Sequence, residues 1–141
     1  GGGTDGGGVA LWSGTAFSGT NTFAGADMIV AGDGSLGRAL SIDGDVDGDG
    51  VDDLLAGAPT AASSTGILYL VLGGSLSGTL SLPGDEGASW AGSSAGDALG
   101  QSGGGLLDLD NDGVLDLAVA APGEDSGAAN GGMVYVLPAY P

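Results

Sequence analysis

The chain has 141 residues, 42% of them apolar, enough for one domain with a core of its own. Eighteen acids against a single base, Arg38, give a formal charge of −17, which excludes a basic nucleic-acid footprint and a polybasic membrane patch. Lys, His and Cys are absent, so His/Cys zinc sites, thiol nucleophiles, lysine Schiff bases and Ser-His triads cannot be built from this chain.

Taken in chain order, residues 1–7 are Gly-rich and read as a flexible linker. GVALWSG (8–14) is an apolar run opened by Gly and rich in β-branched and aromatic residues, which predicts a strand. ADMIVAGDGSLG (26–37) carries a second strand and ends on Leu36-Gly37. A third strand follows that pair and runs into the acidic DVDGDGVDD (45–53), and a fourth follows the acids as far as Pro59. GILYLVLGG (66–74) returns to the Gly-opened type, and ASWAGSSAGDALG (88–100) again ends on Leu-Gly. The order then restarts from Leu99-Gly100 through a second acidic loop to Ala120-Ala121-Pro122, and closes with GMVYVLPAY (132–140). No segment has sustained helical periodicity, and the apolar runs are far too short to span a bilayer. The expected fold is all-β, built of short antiparallel strands.

This order is a repeat. LGRALSIDGDVDGDGVDDLLAGAP (36–59) aligns without gaps on LGQSGGGLLDLDNDGVLDLAVAAP (99–122) at an offset of 63 residues. With A for the strand after Leu-Gly, B for the strand after the acids, C for the Gly-opened run and D for the run before Leu-Gly, the chain reads C-D, A-B-C-D, A-B-C. Each full unit is four strands, and the chain is cut out of phase with the unit.

The acid loops follow Asp-x-Asp-x-Asp-Gly-x-x-Asp. Alternate residues of a tight loop aim carboxylates inward, Gly at the sixth position permits a backbone conformation other residues resist, and the seventh residue can offer its carbonyl. Hard oxygen donors of this kind suit Ca²⁺, which takes six to eight oxygens at about 2.3–2.6 Å; Mg²⁺ asks for stricter geometry and is second choice. Starting the pattern at Asp45 puts Gly50 sixth and Asp53 ninth, whereas starting at Asp43 puts Val51 ninth, where no acid is available. The second loop reads Asp108, Asp110, Asp112, Gly113, Val114, Asp116. An EF-hand would need a Glu at the twelfth position, where Ala56 and Val119 stand, so that reading fails. Solvated acidic turns are the plain alternative; two aligned copies, each followed by an apolar strand that would anchor it, argue against them. Asp43 and Asp52 lie outside the ligand pattern.

These residues resemble the FG-GAP repeat of integrin α-subunit β-propellers and their bacterial relatives. The resemblance rests on Leu36-Gly37 and Leu99-Gly100 for Phe-Gly, on the two acid loops, and on Gly57-Ala58-Pro59 and Ala120-Ala121-Pro122 for Gly-Ala-Pro. Gly66-Ile67-Leu68-Tyr69 and Gly132-Met133-Val134-Tyr135 match the Gly-x-Val-Tyr strand that follows. It implies four-stranded propeller-type blades, about two of them, with Ca²⁺ held between the first two strands of each. The implied ligands are Asp45, Asp47, Asp49, the Val51 carbonyl and Asp53, and then Asp108, Asp110, Asp112, the Val114 carbonyl and Asp116. The implied divisions are a linker over 1–7, strands completing a preceding or neighbouring blade over 8–35, one repeat over 36–98, and a second, without its last strand, over 99–141.

The resemblance further implies an extracellular or cell-surface protein acting in adhesion or recognition, with a structural rather than catalytic metal. Partners expected on this reading are calcium, other copies of the chain or adjoining repeats of a longer one, and a protein or glycan ligand, without nucleic acid or membrane insertion. A propeller usually closes with four to eight blades. The chain therefore reads either as part of a longer propeller or as a subunit completed by neighbours, and head-to-tail addition that does not close would build a fibre. A carboxylate-pair glycosidase is the enzymatic alternative. Its only acid pairs outside the loops, Asp85-Glu86 and Glu124-Asp125, sit in Gly-rich turns where solvated charge is expected. Tyr69 and Tyr135 hold equivalent strand positions, which points to packing, and Trp12 and Trp90 read as buried between blades.

Overall fold

The computed structural model of the chain describes residues 6–12, 19, 22–74, 77–129 and 131–138. Most of the linker expected over residues 1–7 lies outside the described residues. Ten strands are present among them, and the helical pieces, Phe23–Gly25 and Ala61–Ser64, are single turns in connections. The first sheet contains β1 (Gly7–Leu11), β2 (Met28–Gly32) and β6 (Gly78–Leu82), in the order β1-β2-β6. The middle sheet contains β3 (Ala39–Gly44), β4 (Asp53–Ala58), β5 (Ile67–Val71) and β7 (Ala88–Ala91), in that order. The third contains β8 (Ser102–Leu107), β9 (Asp116–Ala121) and β10 (Met133–Pro138), in the order β10-β9-β8. The middle sheet is thus a complete antiparallel A-B-C-D unit, flanked by a C-D pair and an A-B-C set.

Alternation of side chains along each strand explains the stacking. Along β4, Leu54, Ala56 and Ala58 join Met28, Val30, Tyr69 and Val71 in a core between the first and middle sheets. Leu55, between them, turns the other way and joins Leu68, Leu70, Leu117 and Val119 in a second core between the middle and third sheets. Both faces of β4 are covered, so all six of its residues are buried. This is why LLAGA carries no polar alternation: a strand between two sheets has no solvent side. Leu117 is completely buried in the second core. Replacing it with Ala is expected to cost about 2–5 kcal/mol, read from urea unfolding, because the sheets on either side cannot collapse onto the vacated space.

The repeat recurs in the hydrogen bonds between elements. Thr60 N–H donates to the Gly34 carbonyl at 3.1 Å, and one repeat later Gly123 N–H donates to the Asp97 carbonyl at 3.1 Å. Gly37 N–H to the Gly57 carbonyl, 3.0 Å, is matched by Gly100 N–H to the Ala120 carbonyl, 3.1 Å. Leu36 and Leu99 of the Leu-Gly pairs are buried in the first and second cores respectively. Each is crowded by a glycine at the start of a C strand: a Cβ on Gly7, which begins β1 one residue before the expected run, would lie 2.3 Å from the Leu36 backbone, and one on Gly66 would lie 2.2 Å from that of Leu99. No side chain fits at either position.

One strand departs from the expected all-antiparallel pattern. β6 lies between C and D in sequence but leaves its own sheet and pairs in parallel with β2, with Met28 opposite Gly78 and Gly32 opposite Leu82. Its Leu80 and Leu82 pack into the first core, which is what draws the segment across. The connection from β5 to β7 is therefore a clasp between neighbouring sheets.

Candidate metal centres

Each acid loop joins the first strand of a sheet to the second: β3 to β4 for Asp45–Asp53 and β8 to β9 for Asp108–Asp116. In the first loop Asp45 is the hub. Its Oδ1 accepts N–H groups from Gly48 at 2.7 Å and Asp49 at 3.1 Å, and its Oδ2 accepts that of Gly50 at 2.7 Å. Asp47 Oδ1 accepts Asp49 N–H at 3.1 Å, and Asp49 Oδ1 accepts Val51 N–H at 2.8 Å. The second loop repeats this wiring except for the bond from its fourth residue. Asp108 accepts Asp112 N–H at 3.0 Å and Gly113 N–H at 3.0 Å, Asp110 accepts Asp112 N–H at 3.2 Å, and Asp112 accepts Val114 N–H at 2.8 Å. Gly50 and Gly113, the sixth residues, have φ of 90° and 91°. The fourth residues, Gly48 and Asn111, are also left-handed, at 79° and 62°. Asn tolerates that region better than most side chains, so one backbone turn is open to both sequences.

The result is two convergent sets of carboxylate oxygens. One oxygen from each of Asp45, Asp47 and Asp49 lies within 4.8 Å of the others, and so does one from each of Asp108, Asp110 and Asp116; Asp53 and Asp112 belong to neither set. An oxygen that accepts one N–H retains a second lone pair, so the turn hydrogen bonds do not exhaust these groups as donors. The donor set, all oxygen and all anionic, fits a hard divalent cation, and either cluster can hold one. The loops are neighbours: Asp45, Val46, Asp47, Gly113, Val114 and Leu115 line one hollow between them. Val46 and Leu115 both reach down into the second core, so packed side chains anchor the acid tips.

The ninth positions differ. Asp53 is only 1% exposed, and each of its oxygens accepts a backbone N–H: Oδ2 from Val46 at 2.7 Å, and Oδ1 from Gly73 at 2.6 Å, just past the end of β5. Asp116 is half-buried, accepts Leu109 N–H at 2.8 Å through Oδ2, and belongs to the convergent trio of its loop. Asp53 therefore ties the first loop to strand C, a role its place in the repeat did not reveal. Val51 and Val114 sit at the seventh positions, with their N–H groups committed to Asp49 and Asp112.

The acid pairs outside the loops have structural partners. Asp85 Oδ2 accepts Ser81 N–H at 2.7 Å, and Glu86 accepts Gly84 N–H, so both cap the turn after β6. Glu124 is buried beside Asp97 and accepts the Ser126 N–H at 2.8 Å, the Ser126 hydroxyl, and the Tyr135 hydroxyl at 3.3 Å. Asp97 is itself buried and accepts the N–H groups of Ser93 and Ser94 at 2.8 and 2.7 Å. Its counterpart one repeat earlier is Gly34, and that of Glu124 is Ala61, so the comparison of repeats gave no signal for this pair. The Ser126 hydrogen bonds, outweighing burial, hold the Glu124 carboxyl below its ordinary range. Burial, with the Glu124 charge behind it, pushes the Tyr135 hydroxyl up and keeps it a neutral donor.

A carboxyl whose pKa is lower in the folded state stabilises the fold above its unfolded pKa, and that stability fades as pH falls through the folded value. Urea midpoints measured between about pH 5 and pH 3 should therefore fall further for the native chain than for Glu124→Gln. Parallel curves would assign the acid sensitivity to other carboxyls.

The repeat unit also stands out by comparison. The FG-GAP repeat profile matches residues 36–71 and 99–137, two copies that together cover more than half of the chain. The chain belongs to the FG-GAP repeat family. Its two matched repeats begin at Leu36 and Leu99, each takes in one acid loop, and the antiparallel strands, β6 apart, are those of propeller-type blades. Comparison with individual curated proteins finds no match. Among the described residues no helix is long and apolar enough to cross a membrane.

Proposed function

We propose that this FG-GAP chain is a calcium-braced recognition module that works outside the cell or at its surface, through protein or glycan contacts made by its blades. The observation that carries this reading is the pair of loops with closely similar wiring, each set between the first two strands of a sheet and each gathering three carboxylates within 4.8 Å. A tip that concentrates so much like charge, with no basic side chain in its pattern, is one that a bound cation completes. Calcium would be held in the first loop by Asp45, Asp47 and Asp49 with the Val51 carbonyl and Asp53, and in the second by Asp108, Asp110, Asp112 and Asp116 with the Val114 carbonyl.

The metal's role on this reading is to lock the A–B connection, and the chain's own residues do the rest. Asp45 and Asp108 shape the turns, while Val46 and Leu115 pin them to the core. Extracellular calcium modules work with dissociation constants as weak as about 10⁻⁴–10⁻³ M, which fluids outside cells satisfy. Titration calorimetry is expected to find two Ca²⁺ per chain, and one for the double variant Asp45→Asn/Asp47→Asn. A chain that binds none would end this account.

A further inference from the structure

We propose that the outer face of the third sheet is a docking surface for a second copy of this chain, which seats on it with the notch between β1 and β3. The repeat itself identifies what covers this face. In the middle sheet, Leu55 stands opposite Leu70 and Gly57 opposite Leu68, on the side turned to the third sheet, and the three leucines are buried there. One repeat later the same cross-strand pairs are Ala118 opposite Val136 and Ala120 opposite Val134. These face away from the second core, with Val134 64% and Val136 49% exposed. Leu109, 69% exposed, borders the same hollow as Ala118 and Val136. The surface is thus built to the plan of an interface already present in the molecule, and what fits it is the apolar side of another sheet of this type.

A matching surface lies at the opposite end. Leu40 and Ile42 of β3 are 49% and 59% exposed, and with Val9, Leu11 and Leu54 they line a hollow along β1 that continues the first core outwards. A neighbouring hollow of about 290 Å³ takes in Leu11, Ile42 and Val51 as well. In the middle and third sheets, the C strand has a B strand beside it; β1 has only β2 as its partner among the described strands. Two unlike apolar surfaces at opposite ends make a heterologous contact, which propagates as a ring or a filament rather than stopping at a symmetric pair. The charge of −17 opposes it, so association should strengthen when salt screens the copies from one another.

This proposal concerns assembly and can fail without touching the metal reading. The test is sedimentation of the chain in calcium and about 0.5 M salt, where the Debye length falls to a few ångströms. The native chain should form species larger than the monomer as concentration rises. Val136→Asp disables one surface and Ile42→Asp the other, each lowering the association constant at least about tenfold. Mixed together, the two variants retain one intact surface each and should form a 1:1 dimer that neither forms alone. Both sites are exposed, and thermal melts check that each variant folds; Val134→Asp and Leu40→Asp carry the same test if either does not. A native chain that stays monomeric, variants that still assemble, or a mixture that stays monomeric would each overturn the proposal. The first of these outcomes would leave the surface to a different partner.

Discussion

Chelating calcium should lower the melting temperature of this chain by about 15 °C. The size follows from linkage: a ligand at a hundred times its dissociation constant stabilises the folded form by about 2.7 kcal/mol per site, so two independent sites give about 5 kcal/mol. For a chain of this length each kcal/mol moves the melting point by roughly 3 °C. Without the ion, each loop sets Asp45, Asp47 and Asp49, or Asp108, Asp110 and Asp116, within 4.8 Å of one another, and their repulsion adds to the loss. Two controls separate these effects. Salt in the chelated sample should recover part of the repulsion but not the binding energy. Magnesium should recover less than calcium, because its octahedral demand suits a flexible seven- or eight-oxygen loop poorly. Differential scanning calorimetry in calcium and in chelator is the measurement, and superimposed melts would remove the metal from the account of stability.

Strand type and strand order were legible because they depend on local chemistry repeated in register. Gly66 before an apolar run, Leu99-Gly100 before a short strand and the acids before LDLAVAA each recur at the same place in the unit, and the C-D, A-B-C-D, A-B-C order returns as three sheets. The backbone of the acid loops was legible too, since Gly50 and Gly113 occupy the left-handed position that the spacing asked of them. β6 was not, although Thr79-Leu80-Ser81-Leu82 alternates as a strand should. Its partner is β2, some fifty residues earlier, and no copy of the segment was available for comparison. The Asp97–Glu124 pair was hidden for the related reason that Gly34 and Ala61 stand in its place one repeat before. Repetition reveals what the units share, whereas contacts peculiar to one junction between sheets depend on the packed structure.

Asp53 is where burial changes the expected consequence of a mutation. By position it is the ninth residue of a calcium loop, and a ligand that did nothing else would matter only when the ion is present. Its carboxylate, however, is 1% exposed and bridges Val46 in the loop to Gly73 beyond β5. Asp53→Ala leaves two N–H groups without their acceptor, at about 1–3 kcal/mol each, so the total cost should be roughly 3–5 kcal/mol. That cost should persist in chelator, where no ion is lost. Asp49→Ala should behave in the opposite way: Asp49 is exposed and caps only Val51, so its removal should cost stability in calcium. In chelator the same change should be near neutral, because it relieves repulsion as it removes one weak turn bond. Urea unfolding of both variants in both buffers gives four numbers. If the Asp53→Ala penalty vanished with the calcium, Asp53 would be a ligand alone, and the tie between the loop and strand C would carry no energy of its own.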